Sequence, residues 1–373
     1  MTFPIAVVVG LAIGLPAHAL DHVRFQHKGK QIEVSGRLLA KAEDGGLFVE
    51  SPEGVLWTIQ PEVIAEHTSD KTPFEPLPPE KLAARLLAEL PAGFEVHRTK
   101  HYLFLYGTSK EYAQWCGSLF ERLYSAFTNY WGQRGFEMLE PDRPLVAVLF
   151  PDRASFEEHA VAELGEVGRS MIGYYHIGTN RVTLYDLTGA AHAGQPRRGF
   201  NVDRVLAQPG AERTVATFIH EATHQIAFNL GLHTRMSDCP RWFSEGIAMY
   251  FETPNFASAK GWRNIGGVNQ VQLANFQDYL PRRPADSLRT LIADDNRFAA
   301  KGINDTTGES WALAYFLMKQ RPKELAAYLR VIGAKKPLVW DDAKTRTAEF
   351  EAAFGDLQKL DAEFVRFLST RVR

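Results

Sequence analysis

Two histidines four positions apart, His220 and His224, stand in a run from Ala211 to Leu230 whose apolar spacing predicts one amphipathic helix ending at Gly231. A helix places residues four apart on one face, so both imidazoles can reach a single ion. Glu221 lies one step round, completing H-E-x-x-H. From there a carboxylate can take a proton from water at the open position of a metal. On these five residues alone, ordinary His and Glu on a helix surface remain an alternative.

A second segment narrows the choice. Pro240-Arg-Trp242-Phe-Ser-Glu245-Gly246-Ile-Ala248-Met-Tyr250-Phe-Glu252 predicts another helix, with Asp238 or Ser237 as its cap and Pro240 in its first turn. Trp242, Phe243, Ile247, Met249, Tyr250 and Phe251 almost surround it, so it should be buried. A glutamate on a buried helix is costly unless it is paired or binds a metal. Glu245 therefore needs a cation, and two histidines sit one helix earlier. His220, His224, Glu245 and a water form the open zinc pattern of hydrolytic enzymes. Gly246 is expected to let the two helices approach closely.

H-E-x-x-H followed by W-x-x-E-G-x-A-x-Y-x-E resembles the gluzincins, the thermolysin-like and aminopeptidase-N-like peptidases of the MA clan. The resemblance implies His220, His224 and Glu245 as zinc (Zn2+) ligands and Glu221 as general base. It also implies that Glu252, seven residues past Glu245, supports a ligand histidine; a solvated helix-end carboxylate is the alternative. A looser similarity, from about Phe94 to the C-terminus, is to uncharacterised secreted peptidase-MA-like proteins. Relatives usually begin a later helix with a tyrosine that donates to the oxyanion. Here that position is Thr307, in Thr307-Gly-Glu-Ser-Trp311-Ala-Leu-Ala-Tyr315, so Tyr315, Tyr174 or another group would have to serve, or turnover would be weak.

Composition sets limits. A chain of 373 residues has room for one large or two modest domains. A net charge of −2 argues against nucleic acid as a main partner, and Arg197-Arg198 and Arg282-Arg283 are too short to suggest otherwise. Pro4 to Pro16 is apolar and Ala17-His18-Ala19 offers small residues before a cleavage point, which predicts a signal peptide over residues 1–19. No Lys or Arg precedes that stretch, and an uncleaved anchor is the alternative. Either way the rest is exported to periplasm, envelope or exterior. No later segment is long enough to span a membrane. Cys116 and Cys239 are the only cysteines; one disulfide and two buried thiols are both open.

Three regions follow residue 19. Over 20–70, Val23–Phe25, Gln31–Val34, Arg37–Ala40, Leu47–Glu50 and Val55–Ile59 predict five short strands, a small SH3-like barrel or meander. Residues 71–79 are proline-rich and read as a stiff linker. Residues 80–373 form the third: a helix (Glu80–Leu90), a hairpin (Phe94–His97, His101–Tyr106), a helix (Ser109–Arg134), a buried strand (Leu145–Phe150) and a helix (Ser155–Leu164). A hairpin (Gly173–Ile177, Arg181–Tyr185) and the helical half come next. The fold expected is α+β, a gluzincin catalytic domain behind a β module. The resemblance implies that an edge strand borders the cleft and takes an extended substrate as a further strand. Gly173–Tyr185 is the candidate, with Tyr174 and His176 on one face; His176 is alternatively a hairpin surface residue.

The expectation is an exported zinc metallopeptidase acting on peptide or protein substrates. The alternative is a catalytically weak or inactive zincin-fold protein that binds a peptide or an envelope component. Substrate identity and oligomeric state are not readable from the residues.

Overall fold

A computed structural model describes residues 20–186, 211–253, 266–299 and 302–372 of the chain. The signal-peptide reading and Arg197-Arg198 lie outside the described residues. None of the described helices is long and apolar enough to cross a membrane.

The architecture is α+β, with two five-stranded sheets and a helical C-terminal half. The first sheet joins β1 (Asp21–His27), β2 (Lys30–Lys41), β3 (Leu47–Glu50), β4 (Leu56–Ile59) and β5 (Ile64–Ser69), all antiparallel, in the order β4-β3-β2-β1-β5. Alternate residues Val23, Phe25, Val34, Leu47, Val49 and Ile59 meet in a small core of their own. Lys28 and Gly29, both at positive φ, make the two-residue turn between β1 and β2.

The strand count matches the expectation but the strands differ. Gln31–Val34 and Arg37–Ala40 belong to one long strand, and the fifth is Ile64–Ser69. Gly36 does not break β2. It lies against Glu50 so closely that a Cβ there would overlap the Glu50 carbonyl, and only glycine lets the strand continue.

In the second sheet, β6 (Glu95–Arg98), β7 (Tyr102–Tyr106), β8 (Leu145–Phe150), β9 (Tyr174–His176) and β10 (Arg181–Tyr185) run in the order β6-β7-β8-β10-β9. β7, β8 and β10 are parallel, and both edges are antiparallel. Val146, Val148 and Phe150 pack with α1 (Pro79–Leu87) and α3 (Arg153–Leu164). Leu145, Ala147 and Leu149 join the main core with α2 (Lys110–Gly132) and α4 (Ala211–Asn229). A strand covered on both faces reads as the unbroken apolar run seen at 145–150.

The helical half adds α5 (Arg241–Phe251), α6 (Gln270–Tyr279), α7 (Ser287–Ala293), α8 (Ile303–Gln320), α9 (Pro322–Gly333), α10 (Ala343–Phe354) and α11 (Leu357–Arg371). α8 runs through its centre with Trp311, Leu313 and Leu317 fully buried. Gly246 serves that helix and not α4. A Cβ on it would stand 2.6 Å from Ala314 Cβ and 2.7 Å from the Ser310 carbonyl oxygen.

Asp238 does not cap α5 either. It is buried between Arg346 and Lys335, and Ser237 Oγ donates to the Thr234 carbonyl. The cap is non-local: the Arg241 amide donates to Asp295 Oδ1 at 2.9 Å. Cys116, buried in α2, and the half-buried Cys239 are both free thiols.

Candidate metal centre

α4 keeps its helical form through the motif because each of its faces has a distinct neighbour. Ile219, Ala222 and Ile226 are buried in the core. Gln225 points at the sheet, donating through Nε2 to the Val146 and Asn180 carbonyls at 2.9 and 2.8 Å. His220, Glu221 and His224 are left on the side that meets α5 and the edge strand β9.

His220 and His224 bring their Nε2 atoms to 3.1 Å from each other. Glu245 Oε2 lies 3.3 Å from His220 Nε2 and 3.9 Å from His224 Nε2. A tetrahedral zinc site with bonds of about 2.0–2.1 Å spaces its ligands by about 3.3 Å. The three donor atoms thus stand near the separations such an ion imposes. Side-chain exposures of 17%, 13% and 23% leave the centre open on one side.

Each imidazole is oriented from behind. His220 Nδ1 donates to Glu252 Oε2 at 2.7 Å, and Glu252 Oε1 accepts from Asn269 Nδ2 at 2.7 Å. His224 Nδ1 is 3.1 Å from Ser244 Oγ. Carboxylate and hydroxyl partners of this kind fix which ring nitrogen faces the ion and raise its basicity. Glu252 is thus hydrogen-bonded to His220 and largely out of solvent.

The electrostatics point the same way. Burial works against a charged His220, yet the bonds to Glu245 and Glu252 outweigh it and hold His220 well above the usual histidine range. Burial lowers His224 to about 4. Burial opposes ionisation of Glu245 too, but His220, His224 and Arg241 bring it down to about 2. Two imidazole nitrogens and a carboxylate oxygen converge on one point. Such a donor set fits a divalent cation. His220, His224 and Glu245 form the one such group among the described residues.

Glu221 faces the same cleft. Its Oε2 accepts the backbone N–H of Tyr175 in β9 at 2.8 Å. Burial pushes Glu221 up to about 7, with Glu245 and Glu252 adding to the effect and His220 and the Tyr175 amide opposing it. A carboxyl poised near neutrality can both take and return a proton.

The other expected site residues are employed elsewhere. Tyr174 is buried on the α3 side, with its hydroxyl on Glu163 Oε2 at 2.5 Å. His176 Nδ1 accepts from the Thr179 amide at 3.0 Å inside its own hairpin, so the surface-hairpin alternative describes it better. Tyr315 packs against Trp311, Tyr250 and Phe367 as one of many aromatic rings in the helical core. Thr307 Oγ1 donates to the Asn304 carbonyl within the first turns of α8, which begins four residues earlier than the motif suggests.

Sequence reasoning missed four groups. Ser244 and Asn269 stand behind ligands, and only adjacency to Glu245 could have hinted at the first. Arg241, four residues before Glu245 and so on its face, holds Nε 3.8 Å from Glu245 Oε1, and its guanidinium lies over Phe298. The Tyr175 amide is backbone and leaves no trace in the residue type.

A family model described as a protein of unknown function (DUF1570) matches residues 214–339. That span carries His220, Glu221, His224, Glu245, Glu252 and Asn269. It excludes both sheets. A search of curated proteins finds no match.

Proposed function

We propose that this chain is an exported zinc metallopeptidase of gluzincin type. The observation that supports it is the convergence of His220, His224 and Glu245 beside a carboxyl, Glu221, that the Tyr175 amide holds in place. Zinc held by those three side chains would supply Lewis-acid polarisation of a peptide carbonyl and acidify a water.

The chain's own groups do the remainder. Glu221 accepts the proton that the attacking water loses and returns it at the departing amine. Glu252 and Ser244 hold the two imidazoles in register. Arg241 places positive charge beside the triad, where negative charge develops on the carbonyl oxygen; it takes the part for which Tyr315 is too deeply packed. β9 is the outer strand of its sheet, but its Tyr175 amide is held by Glu221, so an extended peptide that adds to it would have to displace that bond.

A second reading, a zincin-shaped protein that binds peptide or envelope material without turnover, draws on Thr307, which stands where relatives usually carry the tyrosine that donates to the oxyanion. One experiment separates the two. Purified protein is analysed for metal, then assayed on a denatured protein mixture with and without a chelator. One zinc per chain with chelator-sensitive cleavage supports the peptidase. One zinc and no cleavage supports the binder.

A further inference from the structure

The first sheet is more than an appendage. Glu50, at the end of β3, is buried, and its carboxylate faces Arg37 Nη2 at 2.5 Å, Arg143 Nη2 at 3.1 Å and Arg235 Nη2 at 3.9 Å. Arg235 belongs to the connection between α4 and α5, the two helices that carry the metal-ligand set. Its Nη1 donates to the Gly54 carbonyl of the first sheet at 3.0 Å and to the Ile177 carbonyl just beyond β9 at 3.2 Å. The Leu56 amide of β4 donates to the Gly178 carbonyl in the same hairpin at 2.8 Å. Two residues before Ile177, the Tyr175 amide holds Glu221.

We propose that Arg235 is a positioning residue, through which the N-terminal sheet fixes strand β9 and with it Glu221. The physical reason is charge. The Arg235 side chain is only 13% exposed, and a guanidinium that far from water needs a counter-charge and carbonyl acceptors. Glu50 and Gly54 supply them from the first sheet. Ile177 supplies the remaining acceptor, so satisfying Arg235 draws the hairpin to a set distance from the α4–α5 connection. β9 has three residues and, among the described residues, one ladder partner, β10. Such a strand gains most from an outside anchor at its end.

The kinetic consequence rests on the peptidase reading; the structural coupling does not. The test uses the full chain as purified, its metal content determined first, and hydrogen exchange at individual amides. Arg235→Ala should speed exchange at Tyr175 and its neighbours to Gly178 by about tenfold, the scale of a lost charged hydrogen bond. Metal content should stay at the wild-type value, and amides in the middle of β1 and β3 should exchange as before. Arg235→Lys, which keeps the charge beside Glu50, should restore most of the protection. If the alanine variant does not fold, Glu50→Gln should show the same rise at the same amides on a smaller scale. Unchanged exchange at Tyr175 in a folded variant overturns the proposal.

In the active enzyme, Arg235→Ala should lower kcat about tenfold with KM within about twofold. A loss confined to KM would overturn the link to Glu221. Wild type without cleavage would sink the peptidase reading and leave the exchange data to decide the coupling.

Discussion

His220 Nδ1 and Glu252 Oε2 lie 2.7 Å apart although 32 residues separate them, because α4 and α5 pack side by side and each gives one partner. The pair makes the candidate metal centre a property of two helices and not of one motif.

Removing that support should weaken the site without abolishing it. Glu252→Gln keeps the shape and loses the charge, and lost support of this kind lowers metal affinity about 10–100-fold. Competition with a chromophoric chelator measures it. Wild-type affinity in the variant would show that Glu252 does not tune His220.

The ligands themselves should behave differently. His220→Ala, His224→Ala and Glu245→Ala should each purify without stoichiometric zinc, since a three-ligand site reduced to two loses most of its affinity. His233→Ala should keep one zinc per chain. Retention of the ion in Glu245→Ala would remove Glu245 from the ligand set.

Glu221→Gln tests the chemistry. The amide cannot accept a proton from water, so peptide hydrolysis should drop by at least about a hundredfold. Zinc content and melting temperature should not move. Activity that survives this change would refute the proposed base even with the metal confirmed.

Gly246→Ala tests packing. The added methyl would meet Ala314 Cβ at 2.6 Å and the Ser310 oxygen at 2.7 Å, and overpacking of this sort costs about 1–3 kcal/mol. Thermal unfolding should record the loss. An unaltered melting temperature would mean that α5 and α8 are free to part.

His233 sets a pH dependence. It is buried between Phe228 and Phe243, and neither ring nitrogen makes a well-formed hydrogen bond among the described residues. Burial, then the charge of His224, lowers it to about 3. Its folded value is below its unfolded one, so the unfolded chain binds the extra proton. The contribution is complete above about pH 6.5 and shrinks as pH falls towards 3, by at most about 1.4 kcal/mol per unit. Denaturant midpoints between pH 7 and 4 should fall less steeply in His233→Leu than in wild type. Parallel curves would show that His233 is protonated in the fold.

The triad was legible because its information is local. Four-residue spacing on one helix fixes His220 against His224, and an apolar surround marks Glu245 as a charge in need of a partner. The misses share the opposite character. Asp238 looks like a cap until Arg346, 108 residues on, claims it. Gly36 looks like a strand break until Glu50 is laid against it. Tyr315 looks like a free hydroxyl until Tyr250 and Phe367 close round it. No window of sequence contains those partners.

A short outer strand is a hazard as well as a platform, since its free amides and carbonyls can recruit a strand from another molecule. β9 has the Tyr175 amide on Glu221, with the Ile177 carbonyl just past its end on Arg235. The same side chains that arrange the cleft therefore act as stoppers against self-association. A variant that frees them should show it on storage, as slow aggregation of folded protein, before any change in unfolding temperature is seen.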